Sequence, residues 1–150
     1  MRAVIQRVSN ARVEIGGEVK GSVNQGLLIL IGIEDSDSQE DIEWFSSKII
    51  QLRIFADDAG LMNKSIMEIG GNILLISQFT LFGQTKKGNR PSFIKAARPE
   101  VAIPIYERLK EILNTKLGRT IETGIFGAEM KVYLTNDGPV TLYMDTNNKE

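Results

Sequence analysis

The sequence predicts a single α+β domain of 150 residues that is rich in β-strands and contains two helices. Most apolar residues either alternate with polar ones or form short continuous runs, and both patterns are typical of strands. Only two segments carry apolar residues at helical spacing. No repeat, linker or shift in composition divides the chain, so we expect one domain over residues 1–150.

Four strand segments are predicted before the first helix, at residues 2–8, 12–15, 18–20 and 27–33. Gly16-Gly17 separates the second segment from the third, and paired glycines between short strands favour a tight hairpin turn. The last of the four is apolar throughout, which is typical of a strand buried on both faces.

Two helices are predicted from apolar stripes and from capping residues. The stripe of the first is formed by Ile42, Phe45, Ile49 and Leu52. Asp37 or Ser38 is suited to cap its N-terminus. The stripe of the second is formed by Ile105, Leu109 and Ile112. This helix is expected to begin at Pro99, to contain Pro104 in its first turn and to end at Gly118.

The remaining segments are predicted to be short strands and loops. Strands are expected at residues 53–55, 72–82, 120–122, 130–135 and 140–144. A turn at residues 57–60 closes the first of these, and residues 83–92 are expected to form a loop. Asn136-Asp137-Gly138-Pro139 consists of turn-forming residues and should separate the last two strands. The polar tail, residues 145–150, is expected to fray.

The composition narrows the possible classes of function. The chain contains no Cys and no His, which excludes disulfides, thiol nucleophiles, Ser-His-Asp triads and His-ligated zinc. A general base would have to be a carboxylate, Lys, Tyr, a backbone group or the substrate itself. The net charge of -1 argues against a general binder of polyanions. Because the sequence has neither a membrane-length apolar run nor a signal-peptide core, we expect a cytoplasmic protein.

Two segments place polar groups where strands end. Ser77-Gln78-Phe79-Thr80-Leu81 closes an apolar strand, so its polar groups can either bond to neighbouring strands or line a pocket. Asn136-Asp137-Gly138-Pro139-Val140-Thr141 is a turn by residue type. Neither segment specifies a reaction by itself.

Two further segments suggest contacts with a nucleotide. Five basic residues occur between Gln84 and Arg98 without an acidic one: Lys86, Lys87, Arg90, Lys95 and Arg98. They can form a solvated loop or contact phosphates, and Gly88 would let the backbone approach a phosphate closely. In Gly124-Ile125-Phe126-Gly127-Ala128, small residues around one aromatic can form a β-bulge or leave room for a flat ring such as adenine.

Taken together and in order, these segments resemble the D-aminoacyl-tRNA deacylases, also called D-tyrosyl-tRNA deacylases. The segments at 77–81 and 136–141 match the two signatures of that family. Further matches are Gln6-Arg7-Val8, Met62-Asn63, residues 87–93 and residues 126–130. The likeness covers nearly all of the chain. It departs at Arg12, Ile125 and Glu129, where the family usually has Ser, Arg and Asp.

The resemblance implies a barrel-like homodimer whose pocket lies at the subunit interface. It implies that the Gly138-Pro139 peptide is cis and reaches into the pocket of the partner subunit. Their backbone carbonyls would accept hydrogen bonds from the ammonium group of a D-aminoacyl ester and leave no room for an L side chain. Arg7, Asn136 and Met130 would support this arrangement.

The resemblance also implies a reaction, the hydrolysis of D-aminoacyl-tRNA, and of glycine mischarged on tRNA(Ala), to free amino acid and tRNA. Ser77, Gln78, Phe79 and Thr80 would form the catalytic pocket, in which Thr80 is expected to line the wall and not to act as nucleophile. Backbone N–H groups near Phe79 and Thr80 would stabilise the oxyanion, and the 2′-hydroxyl of the tRNA would assist.

Partners and cofactors follow from the same resemblance. Phe126, Gly127 and Ala128 would hold the terminal adenine, and Lys86, Lys87 and Arg90 would contact the tRNA. No metal, organic cofactor, membrane or DNA partner is expected. Two alternatives remain open from the sequence: a non-catalytic RNA-binding module built on the basic loop, and a sister branch of the family with a trans Gly-Pro bond.

Overall fold

The computed structural model describes all 150 residues of the chain. Its elements in order are β1 (Arg2–Ile15), β2 (Glu18–Val23), β3 (Gly26–Gly32), α1 (Gln39–Gln51), β4 (Phe55–Ala56), β5 (Met62–Lys64), β6 (Asn72–Ser77), a 3₁₀ helix (Phe79–Phe82), α2 (Pro99–Leu117), β7 (Glu122–Thr123) and β8 (Lys131–Asp145). The α+β class with two helices is therefore confirmed.

Six of the strands form one mixed sheet that nearly closes into a barrel. The order is β2-β1-β3-β6-β7, and β8 pairs with the opposite edge of β1. β3, β6 and β7 run parallel to one another, whereas the pairings of β1 are antiparallel. β2 reaches back to β6 and β7, so that the two ends of the sheet approach each other. β4 and β5 form a separate hairpin.

The sheet separates two apolar cores. One face packs against both helices and includes Leu27, Ile29 and Ile31 of β3. The other face fills the interior of the barrel and includes Leu28 of the same strand. Because successive side chains of a strand point to opposite faces, a strand between two cores is apolar throughout. This arrangement explains the uninterrupted apolar run at residues 27–33.

α1 begins at one of the two cap residues that the sequence predicts, and α2 begins and ends at the residues predicted for it. Ser38 is the N-cap of α1, where its hydroxyl accepts from the Asp41 N–H at 3.3 Å and the Asp41 carboxylate accepts from the Ser38 N–H at 2.9 Å. α2 begins at Pro99 and ends at Gly118, which has a φ of 73°. The expected place of Pro104 in the first turn is wrong, since it is the sixth residue of α2. It lies on the exposed face, where water can replace the missing backbone hydrogen bond.

Several predicted boundaries are wrong because long strands continue through local irregularities. β1 is one strand that contains both segments expected at 2–8 and 12–15. The strand expected at 72–82 ends at Ser77, and a 3₁₀ helix follows. β8 is also continuous, and the interruption expected at 136–139 is a bulge within it.

Smaller corrections concern the short strands and the tail. The strand expected at 53–55 is Phe55–Ala56, and the one expected at 120–122 is Glu122–Thr123. The tail does not fray at its start, because Thr146 is buried and its N–H donates to the carbonyl of Met1 at 2.9 Å.

Candidate active site

A cavity of about 260 Å³ lies where the parallel strands β3 and β6 end. This volume is near the lower end of the range for small-ligand pockets, roughly 300 Å³. Its walls come from five parts of the chain. The lining residues are Ile31, Ile33, Ile76, Ser77, Gln78, Phe79, Ala97, Ala102, Phe126, Gly127, Ala128, Met130 and Val132. The carboxyl ends of parallel strands are a common place for ligand sites, because the chain leaves the sheet there in loops.

The cavity brings together residues from three of the four segments that the sequence singled out, although the basic segment from Gln84 to Arg98 contributes only Ala97. The segment at 77–79 forms one wall, and Phe126, Gly127, Ala128 and Met130 form another. Thr80 lies beside this group, because its hydroxyl accepts a hydrogen bond from the side chain of Gln78, but it does not line the cavity.

Six lining residues were not identified as site residues from the sequence: Ile31, Ile33, Ile76, Ala97, Ala102 and Val132. They are small or apolar, and nothing distinguishes them from core residues without the fold. The only available signal was that Ile31 and Ile33 occur at the end of a buried strand.

The 3₁₀ helix that follows β6 leaves two backbone donors free, one of them on the cavity residue Phe79 and the other on the adjacent Thr80. The Gln78 N–H donates to the carbonyl of Ile31 at 2.7 Å, and the chain then turns. The N–H groups of Phe79 and Thr80 have no acceptor in the chain, as expected for the first residues of a helical turn. They are therefore available to a bound oxygen atom.

Residues 84–98 begin and end close to the cavity. The bridge between Gln84 and Ser92 closes a loop, and Phe93 packs edge-on against Phe79 with ring centroids 5.2 Å apart. The tip of the loop carries Lys86, Lys87 and Arg90, which are all exposed. None of them forms an ion pair within the chain. Their charges are thus free to contact an anion.

The wall at Phe126 is supported from behind by Tyr106 of α2. The two rings meet edge to face with centroids 5.8 Å apart. The hydroxyl of Tyr106 donates to the carbonyl of Leu75 at 3.0 Å. Burial removes the phenol from water and raises the pKa of Tyr106 far above its usual value. Tyr106 is therefore a neutral donor that fixes α2 to β6 behind the cavity.

Gly138 and Pro139 project from the ladder between β1 and β8. Val8 pairs with Asn136 and Gln6 pairs with Thr141, so Arg7 alone lies opposite four residues of β8. The Gly138-Pro139 peptide is cis, as the resemblance predicts. Both residues are exposed.

Two side chains hold this projecting segment. Arg7 Nε donates to the carbonyl of Asp137 at 2.8 Å, and its Nη1 donates to the carbonyl of Ile54 at 2.6 Å. Asn136 closes the bulge, since its Oδ1 accepts from the Val140 N–H at 2.8 Å and its Nδ2 donates to the Val140 carbonyl at 3.2 Å. The backbone of the segment is therefore fixed at both of its ends.

Within one chain the projecting segment lies far from the cavity. Val132 lines the cavity, and Gly138 follows six residues later on the same strand. At about 3.3 Å per residue this separation approaches 20 Å. Neither Gly138 nor Pro139 lines the cavity of its own chain.

Comparison with known proteins relates this architecture to one family. The family model described as D-Tyr-tRNA(Tyr) deacylase matches residues 4–145. The chain belongs to this family. As a D-aminoacyl-tRNA deacylase it is a hydrolase of the ester bond between a D-amino acid and tRNA. This membership argues against the alternative of a non-catalytic RNA-binding module.

Relatives of this deacylase match it over their whole length. A D-aminoacyl-tRNA deacylase of Bacteroides thetaiotaomicron is 63% identical over 150 residues and covers 100% of both chains. One of Flavobacterium psychrophilum is 59% identical with the same coverage.

Two solved structures share the fold of this deacylase. One, described as a c-Myc DNA unwinding element binding protein, has a TM-score of 0.91 at 40% identity and covers 97% of this chain and 98% of its own. The other, a probable eukaryotic D-amino acid tRNA deacylase, has a TM-score of 0.81 at 17% identity, with 95% and 97% covered. The second therefore supports the fold alone.

The three departures from the family pattern lie on the surface of this deacylase. Ile125 and Glu129 are exposed on either side of the wall at residues 126–128. Arg12 lies over the ring of Tyr133 at 4.0 Å and donates to the carboxylate of Glu14 at 3.0 Å. None of the three lines the cavity. No helix of the structure combines the length and the apolar character that crossing a membrane requires.

Proposed function

We propose that this deacylase acts as a homodimer in which Gly138 and Pro139 of one subunit complete the cavity of the other. The observation that carries the proposal is their separation: neither Gly138 nor Pro139 lines the cavity of its own chain, and six residues of β8, up to about 20 Å of strand, separate Gly138 from Val132 in the cavity wall. A second copy can bring the segment of one chain to the cavity of the other.

The free edge of β8 supports the expected dimer. β8 is 15 residues long and pairs only with β1, so its other edge has unpaired backbone groups. It also exposes Tyr133 and Leu134, and Phe79 and Ile125 are exposed near the cavity. A long unpaired edge with exposed apolar side chains is a surface that proteins usually cover.

The projecting segment would select the hand of the substrate by exclusion. The carbonyls of Gly138 and Pro139 can accept hydrogen bonds from the ammonium group of a D-aminoacyl ester. An L residue would direct its Cβ into the same carbonyls. The hydrogen bonds of Arg7 and Asn136 hold the segment in place. The Cβ of an L residue would therefore meet a rigid surface, and the L ester would be rejected.

Hydrolysis would depend on positioning and on the RNA. The chain contains no His or Cys, and an aminoacyl ester is already an activated substrate. The free N–H groups of Phe79 and Thr80 would stabilise the developing oxyanion, while Ser77, Gln78 and Met130 line the pocket around it. The neighbouring 2′-hydroxyl of the terminal ribose would orient or activate the attacking water.

The remaining site residues would hold the tRNA. Phe126, Gly127 and Ala128, which form one wall of the cavity, would hold the terminal adenine. The unpaired charges of Lys86, Lys87 and Arg90 would contact backbone phosphates. Because glycine has no Cβ to exclude, glycine on tRNA(Ala) would also be hydrolysed. A tRNA substrate is also the reason why we propose that the enzyme acts in the cytoplasm.

Mixed dimers test whether the cavity and the segment act across subunits. One variant, Ala128→Trp, fills the cavity but keeps its own Gly138-Pro139. The other, Pro139→Ala, keeps the cavity but loses the proposed selectivity. Pro139→Ala alone should hydrolyse both D- and L-alanyl-tRNA. After subunits are exchanged with excess Ala128→Trp, hydrolysis of L-alanyl-tRNA should fall while that of D-alanyl-tRNA continues.

The matched control is the double variant Ala128→Trp/Pro139→Ala, which fills the cavity and supplies no intact segment. Mixing with this control should leave the hydrolysis of L-alanyl-tRNA unchanged. The opposing result would be a rate on L-alanyl-tRNA that is equally high after mixing with Ala128→Trp and after mixing with the double variant. In that case the segment acts within its own chain and the proposal is wrong.

A further inference from the structure

The hairpin of β4 and β5 contains a bulge at Asn63. Phe55 pairs with Lys64 and Ala56 pairs with Met62, so Asn63 has no partner across the ladder. A bulge of this kind releases backbone groups from the ladder and changes the direction of a side chain. Here the carbonyl and the side-chain amide of Asn63 both turn towards Arg53.

Asn63 joins two charged residues on the other side of the hairpin. Arg53 donates from Nε to the Asn63 carbonyl and from Nη2 to its Oδ1, both at 2.9 Å. The Asn63 Nδ2 then donates to Asp57 Oδ2 at 2.7 Å. Together with the N–H groups of Leu61 and Ala59, this amide lowers the pKa of the Asp57 carboxyl. The carboxylate therefore remains charged and holds the turn of the hairpin.

Arg7 has two backbone anchors, and one of them is the carbonyl of Ile54, the residue that follows Arg53. Residues 52–54 lie between α1 and β4 and belong to no helix or strand. The carbonyl of Ile54 accepts from Arg7 Nη1 at 2.6 Å, while Arg7 Nε donates to the carbonyl of Asp137 at 2.8 Å. A Cβ placed on Gly138 would be only 3.0 Å from Nη2 of Arg7. The guanidinium is thus held between the hairpin and the projecting segment.

We propose that Asn63 is a positioning residue for the selectivity of this deacylase. By holding Arg53 against Asp57 it fixes the carbonyl of Ile54, and this carbonyl orients Arg7 and the Gly138-Pro139 segment. The inference rests on the proposed role of that segment as the surface that excludes L residues. The competing explanation is that burial of the Ile54 and Phe55 side chains fixes the carbonyl without Asn63.

The test compares variants of two neighbouring residues in the full-length dimer. Asn63→Ala removes the link between Arg53 and Asp57. Lys64→Ala is the matched control, because Lys64 is the next residue of β5 and the only ion pair of its side chain is with the exposed Asp58. For each variant, kcat/KM is measured on L-alanyl-tRNA and D-alanyl-tRNA, and amide hydrogen exchange is followed across residues 136–142.

Asn63→Ala should raise the ratio of L to D hydrolysis by about fivefold or more, the equivalent of losing one or two ordinary hydrogen bonds. Its rate on D-alanyl-tRNA should stay within about twofold of the wild type, because no group at the cavity changes. Exchange at residues 136–142 should become faster. Lys64→Ala should change none of these quantities.

An unchanged ratio in folded Asn63→Ala would overturn the inference, as would an equal fall in both rates. If Asn63→Ala does not fold, Arg53→Lys decides in its place, because lysine keeps the charge but cannot make both hydrogen bonds. Pro139→Ala distinguishes failure of the positioning role of Asn63 from failure of the proposed function. If it raises the ratio while the Asn63 and Arg53 variants do not, the positioning role fails alone. If Pro139→Ala also leaves the ratio unchanged, the proposed function fails with it.

Discussion

Replacing Tyr106 by Phe tests the support behind the cavity wall. The variant keeps the ring that meets Phe126 edge to face and removes only the hydroxyl that donates to the carbonyl of Leu75 at 3.0 Å. Tyr106 is 3% exposed, so water cannot easily replace this donor. The variant loses a buried hydrogen bond, and the carbonyl of Leu75 loses one donor. The free energy of unfolding should therefore fall by about 1–2 kcal/mol. For a chain of this size the midpoint of thermal unfolding should fall by roughly 3–6 °C.

The pH dependence of the same variant tests whether the Tyr106 phenol is held away from water in the folded protein. Burial raises the pKa of Tyr106 in the folded state, so above the ordinary tyrosine pKa the unfolded state releases a proton that the folded state keeps. The free energy of unfolding should therefore be fully retained below about pH 10 and fall above it, by about 1.4 kcal/mol at pH 11. This loss should be absent in Tyr106→Phe, since the variant has no phenol at that position.

The assay is urea unfolding of wild type and Tyr106→Phe at pH 8, 9, 10 and 11, about one pH unit apart around the tyrosine pKa. The difference between the two proteins isolates Tyr106 from the exposed tyrosines and lysines that titrate in the same range. The stability difference should shrink as the pH rises from 10 to 11. A constant difference across the series would refute the reasoning, because it would mean that Tyr106 ionises alike in both states.

The remaining predictions concern the fold, the RNA and the substrate. Gly26→Ala should destabilise the protein by about 3 kcal/mol or more, measured by urea unfolding, because its Cβ would overlap a backbone carbonyl of β6; a cost below about 1 kcal/mol would contradict this close approach. Changing three basic residues to Ala (Lys86, Lys87 and Arg90) should weaken tRNA binding and reduce its log–log salt slope by about 2, whereas an unchanged slope would place the RNA elsewhere. Thr80→Ala should keep substantial hydrolysis, while a substrate that ends in 2′-deoxyadenosine should lose most of it; the reverse result would restore a side-chain nucleophile. Glycyl-tRNA should be hydrolysed much faster than L-alanyl-tRNA in single-turnover assays, although a merely hydrophobic pocket separates such a pair by only about 1–3 kcal/mol. Slow glycine together with fast D-alanine would indicate positive recognition of the D side chain and not exclusion of the L one.

Local patterns in the sequence predicted the parts of the fold that depend on local chemistry. Ser38 caps α1 and Gly118 ends α2 because capping involves residues only a few positions apart. The continuous apolar run at 27–33 predicted a buried strand, and β3 lies between two cores. These features need no knowledge of distant contacts.

Features that depend on strand pairing could not be predicted in the same way. Asn136 and Pro139 are turn-forming residues, yet β8 continues through them. The reason is that both halves of β8 pair with β1, which keeps β8 in one ladder. The role of Asn63 as a bulge residue follows from the register of β4 and β5, which no residue type specifies. Likewise, Val132 becomes a cavity residue only when the barrel brings it beside Ile31.

The way the cavity is lined has a consequence for the refolding of the protein. Ile31 and Val132 line the same space although about 100 residues of chain separate them, and the ends of β6 and α2 must also be in place. Contacts of such long range form late. Closing the long loop between the two residues costs conformational entropy, and this cost is not offset until the contact itself has formed. During refolding, esterase activity should therefore appear after helical circular dichroism has recovered. A fragment that ends before β8 would have no site, however well its helices form.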